Sequence, residues 1–218
     1  MAKAIALPVS GGASKQAPLA KHPLSIQRPL PIIGHRWEAS GWWGMSLVIL
    51  TEGALFAYLF FSYFYLASQA TGAWPPHGPP KLVNASINTA LLLSSSVAAW
   101  WAERGIIRGR RFQLTIGLIG ALVLGVVFIT IQAREWAAQP FTFSSDTYGS
   151  LYFLITGFHG AHVIVGLLVL ATLAFWNAMG YFHRERHLAV SVGVVYWHFV
   201  DLIWLAVFST LYLSPHLS

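Results

Sequence analysis

The sequence contains no cysteine, which excludes disulfides, thiolate metal sites and a cysteine nucleophile, and leaves thiol usage silent about compartment. Charge is almost as scarce. Lys, Arg, Asp and Glu make up 9% of the 218 residues, against roughly 25% in an ordinary soluble domain. A water-soluble globule of this size cannot cover itself with so few charges. Catalytic signatures are missing too: there is no Walker loop, no G-x-G-x-x-G, no G-x-S-x-G and no H-E-x-x-H. What is present is apolar. Hydrophobic types reach 56%, with ten Trp, eight Tyr and fourteen Phe, more aromatics than a soluble core needs but suited to the belts of a bilayer interface. The chain reads as an integral membrane protein. Its net charge of +6 reads as topology charge, not as a nucleic-acid footprint.

Residues 1–40 mix Pro, Gly, Ser, Lys and Arg without an apolar period and read as a flexible, uncleaved tail. Residues 41–218 read as one transmembrane domain. Five apolar stretches, about 42–67, 86–103, 112–134, 149–176 and 190–213, each approach the ~20 residues that span hydrocarbon. None alternates like a barrel strand, and backbone groups in lipid must pair internally, so an all-α bundle of five transmembrane helices is expected. Pro-rich and polar segments separate the spans, the clearest being Trp74 to Pro80. Eleven basic residues fall on the side of the N-terminus and only Lys81 and Arg134 on the other, which predicts a cytoplasmic N-terminus and an external C-terminus. Ser86, Ala90, Ser94, Ala98 and Ala102 recur every four residues, as do Gly117, Ala121 and Gly125. Such small-residue ridges predict close helix packing.

Two acids stand where the bilayer should exclude them. Glu52 and Asp201 each lie about 15 Å into a span, where a carboxylate costs roughly 2.5–3.5 kcal/mol on insertion scales. His159 and His162 are three apart on the fourth span, with Tyr152 and Thr156 continuing a polar line. His198 precedes Asp201 by three, so imidazole and carboxyl can meet, with Trp197 and Trp204 flanking. Three readings of these groups remain open. They can satisfy one another and fix helix register; they can form a proton-active or lipid-headgroup-binding cluster; or they can ligate a di-metal centre, although helical di-iron sites use more than two carboxylates. Arg104, Arg108, Arg110 and Arg111 read as topology charges or as an anionic-lipid site. Trp42, Trp43, Trp100, Trp101 and Trp136 are expected as interfacial anchors, and Trp43 and Trp197 count among the lipid-contact candidates. A small proton channel is a further alternative, against which the lack of inverted repeats argues.

Ordered motifs run from about residue 42 to 213. Trp43-Gly44-Met45 opens the helix of Glu52, which ends in Phe60-Phe61-Ser62-Tyr63-Phe64. Trp74-Pro75-Pro76, Asn88-Thr89, Leu92-Leu93-Ser94-Ser95-Ser96, and Gln132 with Glu135 follow. The most specific strings are Thr156-Gly157-Phe158-His159-Gly160-Ala161-His162-Val163 and Tyr196-Trp197-His198-Phe199-Val200-Asp201, leading to Trp204. In these motifs the chain resembles subunit III of the haem-copper terminal oxidases. The resemblance implies a non-redox subunit with no cofactor and no metal of its own, packed on subunit I, whose haems and copper reduce oxygen to water. It implies subunits I and II and bound phospholipid as partners, cytochrome c as donor (quinol being the alternative), and no nucleic acid. Supported proton uptake, stability and lipid retention are the implied roles. Glu52, His159, His162, His198 and Asp201 match the family's intramembrane polar positions. The seven-helix members differ in having two more spans than residues 1–40 can supply, so a five-helix form in a bacterial cell membrane is expected.

Overall fold

A computed structural model describes residues 40–217, and the expected tail lies outside them apart from Ser40. Among the described residues five helices are long and apolar enough to cross a membrane: α1 (Ser40–Gln69), α2 (Leu82–Ile107), α3 (Arg111–Ala138), α4 (Thr147–Ala178) and α5 (Leu188–Val207). No β-strand forms among the described residues. The α5 helix continues through a π-helical turn, Phe208–Leu213, and a 3-10 turn, Ser214–His216. The chain is thus an all-α, multi-pass membrane bundle. The first four helices have 30, 26, 28 and 32 residues. Each runs past its apolar stretch at both ends, because a helix keeps its internal hydrogen bonds after leaving hydrocarbon, whereas an apolar count stops at the first polar residue.

The buried stripes show why these helices pack as they do. On α3 the stripe is Leu114, Gly117, Leu118, Ala121, Gly125, Phe128, Gln132 and Glu135, at the three-and-four spacing of one helix face. On α4 it runs through Tyr152, Ile155, Thr156, His159, Val163, Gly166 and Leu170. The α2 stripe corrects the small-residue ridge. Ala85, Asn88, Leu92, Ser95, Ala99 and Ala102 are buried, whereas Ser86, Ala90 and Ser94 are exposed. Only Ala98 and Ala102 of that ridge meet α3, where they press on Gly117. In contrast, Gly125 does serve the close approach read from α3: a Cβ there would sit 2.9 Å from the Trp197 ring. The helix α1 is peripheral, burying only Phe56, Leu59 and Tyr63.

Helix direction alternates along the chain, so the charged ends can be sorted. One end gathers Arg104, Arg108, Arg110, Arg111, Arg184 and Arg186; the other carries Lys81 and Arg134 as its only Lys or Arg among the described residues. At that second end Asp146 caps α4. Its Oδ1 accepts from the Gly149 N–H at 2.6 Å, and its Oδ2 lies 2.6 Å from His77 Nε2. His77 in turn stacks on Phe141, with ring centres 5.0 Å apart. Burial alone would raise the Asp146 pKa, but the Gly149 N–H and then His77 outweigh it and hold the carboxyl below its ordinary value. A depressed folded-state pKa contributes stability above the unfolded carboxylate value, ~3.9, that is lost as pH falls through the folded one. Asp146→Ala is therefore expected to lower stability at neutral pH by about 1 kcal/mol. It should also flatten the acid limb of the unfolding profile, measured by thermal melts in detergent. An acid limb identical to wild type would contradict that role for Asp146.

Candidate functional site

The five polar groups singled out in the sequence do not converge on one point. Among the described residues no set of three or more His, Cys, Asp or Glu side chains is placed to hold a metal ion. The di-metal reading therefore lacks its ligand set. What the fold builds instead is three separate polar clusters, each tied to a different pair of helices.

The first joins α1 to α4. Glu52 Oε2 lies 3.1 Å from His162 Nε2, with the carboxyl side chain about one-third exposed. Phe56, one turn along α1, meets the same imidazole edge-on at 5.2 Å. His162 Nδ1 is 2.7 Å from the Phe158 carbonyl, which can only accept, so Nδ1 carries a proton. A neutral ring then leaves Nε2 as an acceptor. The contact with Glu52 consequently needs one further proton, held either as imidazolium beside carboxylate or as imidazole beside carboxylic acid. Two basic atoms, Oε2 of Glu52 and Nε2 of His162, thus face each other across the α1–α4 contact.

His159 does not share this pair. Although only three residues from His162, it lies in the core-facing stripe of α4, fully buried, with Phe128 and Trp204 rings at 5.9 and 5.1 Å. Neither ring nitrogen has a hydrogen-bond partner among the described residues. The two histidines lie on adjacent turns, as expected, yet the 60° between positions three apart turns one into the core and the other toward α1.

The second cluster joins α2 to α5, and it corrects the His198–Asp201 expectation. His198 Nδ1 pairs with Ser96 Oγ at 2.7 Å instead of with Asp201. Asp201 is buried, 5% exposed, and neither carboxyl oxygen has a hydrogen-bond partner among the described residues. Ser96 is near enough to interact weakly with Asp201 but is committed to the imidazole. Trp197 and Trp204 also tie these helices. Their indole N–H groups donate to Ser95 Oγ and Thr89 Oγ1, each at 2.9 Å. Trp197 is fully buried, which removes it from the lipid-contact candidates, whereas Trp43 is 67% exposed. Trp136, half-buried near the end of α3, donates its indole N–H to Thr156 Oγ1 at 3.1 Å. Trp100 and Trp101 remain exposed.

The third cluster was not foreseen. Glu135 is 8% exposed on α3, and its Oε1 accepts from the Tyr212 hydroxyl at 2.8 Å and more weakly from Tyr152 at 3.4 Å. The two phenols are 3.1 Å apart, and Gln139 Nε2 reaches Tyr152 at 3.3 Å. The π-helical turn of α5 carries Tyr212 into this contact. In the sequence Glu135 stands out only as part of the motif with Gln132, not among the intramembrane polar groups. The available signal was its register, three after Gln132 and seven after Phe128 on the buried stripe.

At the arginine-rich end, Arg104 lies over the Trp100 ring at 5.2 Å, and Arg111 bonds the α4–α5 connection through the Gly180 carbonyl and His183. Arg108 and Arg110 are exposed.

Fold and site together define a polytopic helical membrane protein whose core is threaded by carboxylates, imidazoles and phenols. A family model for cytochrome c oxidase subunit III matches residues 38–215. Cytochrome c oxidase subunit 3 of Drosophila melanogaster is 36% identical over 177 residues, covering 78% of this chain and 68% of the relative. The Arabidopsis thaliana protein of the same name is 37% identical over 177 residues, with 78% and 67% covered. That of Ovis aries is 35% identical over 177 residues, with 78% and 68% covered. The chain belongs to the cytochrome c oxidase subunit III family.

Proposed function

We propose that this chain serves as a non-redox subunit of a haem-copper terminal oxidase, packed on the subunit that holds the haems and copper and carrying no cofactor itself. Cytochrome c is the proposed donor to the complex, subunits I and II its proposed neighbours, and oxygen reduction coupled to proton pumping the reaction it supports. The Glu52–His162 pair carries this reading. A carboxyl and an imidazole at mid-helix, 3.1 Å apart, suit a group that supports proton uptake without doing redox chemistry. The exposed apolar face of α1, with Leu47, Leu50, Tyr58 and Phe61, offers surface to lipid or to a partner subunit. The proposed setting is a bacterial cell membrane with the arginine-rich end cytoplasmic, as the bias of basic residues favours. Arg108 and Arg110 remain candidates for anionic lipid on that side.

Purified oxidase carrying Glu52→Gln with Asp201→Asn tests the role. Assembly and haem content are expected to match wild type, while active lifetime during turnover falls several-fold or the pH profile of turnover shifts. Kinetics, pH profile and lifetime all equal to wild type would reduce both acids to structural groups. Oxidation of reduced cytochrome c, compared with oxidation of a quinol by the same preparation, tests the donor.

A further inference from the structure

A cavity of about 800 Å³ lies between the ends of α2 and α3, at the end of the bundle opposite the arginine cluster. The two cations of that end, Lys81 and Arg134, sit on different helices yet both line it. Neither forms an ion pair among the described residues, where the pairs are His77–Asp146 and His162–Glu52. The acids nearby are committed elsewhere: Asp146 to His77 and the Gly149 N–H, and Glu135, which lines the cavity, to Tyr212 and Tyr152. Lys81 and Arg134 therefore both stand at the cavity without an ion-pair partner among the described residues, while the Glu135 carboxyl in the same wall is held through Oε1 by the two phenols and leaves Oε2 unbonded there. The first turn of α2 adds to this. Lys81 is its N-cap and makes no side-chain cap bond, so the free N–H groups of the helix start open beside the same space, next to Asn84.

Polarity changes along the cavity wall. Ile87 lies about 9 Å deeper than Lys81 along α2, and Ile131 one turn deeper than Arg134 along α3, at ~1.5 Å rise per residue. Charge at the helix ends and branched aliphatic surface further in match an amphiphile oriented like the bilayer. We propose that this cavity binds the phosphate of an acidic membrane phospholipid between Lys81 and Arg134, with its chains lying along Ile87 and Ile131. The site is distinct from the arginine cluster at the other end of the bundle, and it does not depend on the complex the chain serves.

The full-length chain, purified in mild detergent, can be titrated with dioleoylphosphatidylglycerol or dioleoylphosphatidylcholine and the bound species counted by native mass spectrometry. The phosphatidylglycerol Kd is expected to rise about thirty-fold in Lys81→Gln with Arg134→Gln. It should be unchanged in Arg108→Gln with Arg110→Gln, at the opposite end. Ile131→Trp, which fills the apolar part and leaves the charges, is expected to weaken phosphatidylglycerol binding as well. This variant decides the matter if the double charge variant fails to fold. Inorganic phosphate at millimolar concentration should not displace the lipid. Equal affinity for phosphatidylcholine, an unchanged Kd in both cavity variants, or full displacement by inorganic phosphate would each overturn the proposal.

Discussion

Gly117→Leu is expected to leave little folded chain in the membrane. A Cβ at Gly117 would sit 2.6 Å from the Ala102 Cβ and 2.7 Å from the Ala98 carbonyl oxygen, so even one added carbon meets backbone. Alanine at 98 and 102 on α2 and glycine on α3 let the two helices touch nearly along their main chains. In lipid, no hydrophobic force pulls helices together, and close dispersion contact is the main attraction. Leucine at this position must push α2 from α3 over several turns. Overpacking of this kind costs about 3 kcal/mol or more, because the obstacle is backbone and cannot rotate away. Gly120, three residues on, provides the control. A Cβ there would lie 3.7 Å from Ala98 Cβ, in ordinary contact. Gly120→Ala is expected to be neutral, or to gain a few tenths of a kcal/mol from helix propensity. Thermal unfolding and gel-filtration profiles in detergent compare the two. A Gly117→Leu protein as stable as Gly120→Ala would show that α2 and α3 are not packed as described.

Trp197→Ala carries the second large effect, about 3 kcal/mol of destabilisation. The indole touches four helices at once. It rises from α5, bonds Ser95 on α2, and lies against Gly125 on α3 and Gly166 on α4, where added Cβ atoms would come within 2.9 and 2.7 Å of the ring. The truncation leaves a ring-sized void that these glycines cannot fill. The cost falls toward the lower part of the range for aromatic truncation, since transfer from water is not part of helix association in lipid. Ser95 keeps a bond to the Leu92 carbonyl, so no buried hydroxyl is orphaned. Trp43→Ala, at an exposed ring, should change stability by less than about 0.5 kcal/mol. Equal effects of the two substitutions would contradict the central placement of Trp197.

Particular residues show what the sequence could and could not disclose. The number of spans was legible because five apolar runs of sufficient length have one solution in a bilayer. Which face of each helix points inward was less legible. A soluble helix marks its core face by contrast with a polar one, but lipid-facing and protein-facing sides of these helices are both apolar. Trp197 and Trp43 therefore look alike as letters, although one is sealed in the core and the other open. Ionisable and amide side chains are a better guide, since they are costly in lipid and several, such as Asn88, Gln132, Glu135, His159 and Asp201, are turned inward. Glu135 shows this: its spacing from Gln132 and Phe128 places it on a buried stripe that the apolar run, stopping at Arg134, cuts short.

Glu52 and Asp201 were legible as exceptional residues, but their partners were not. Three-residue spacing along one helix made Asp201 the natural companion of His198. The structure gives His198 to Ser96 on α2 and gives Glu52 to His162 on α4. Both pairings cross between helices far apart in the chain, which local spacing cannot anticipate. The result separates the two acids in kind. Glu52 lies 3.1 Å from an imidazole at the side of the bundle, while Asp201 is buried without a committed donor among the described residues. Substituting each alone in the assembled complex would therefore give different pH profiles if only the first handles protons.

The most direct measurement is isolation of the tagged chain from its own membrane in mild detergent, followed by reduced-minus-oxidised visible spectroscopy. The proposed role predicts haem bands that co-purify with the chain, assignable to a larger partner subunit, and oxygen uptake driven by reduced cytochrome c. A chain that emerges intact, with no haem-bearing partner and no oxygen uptake, would contradict the assignment to a terminal oxidase.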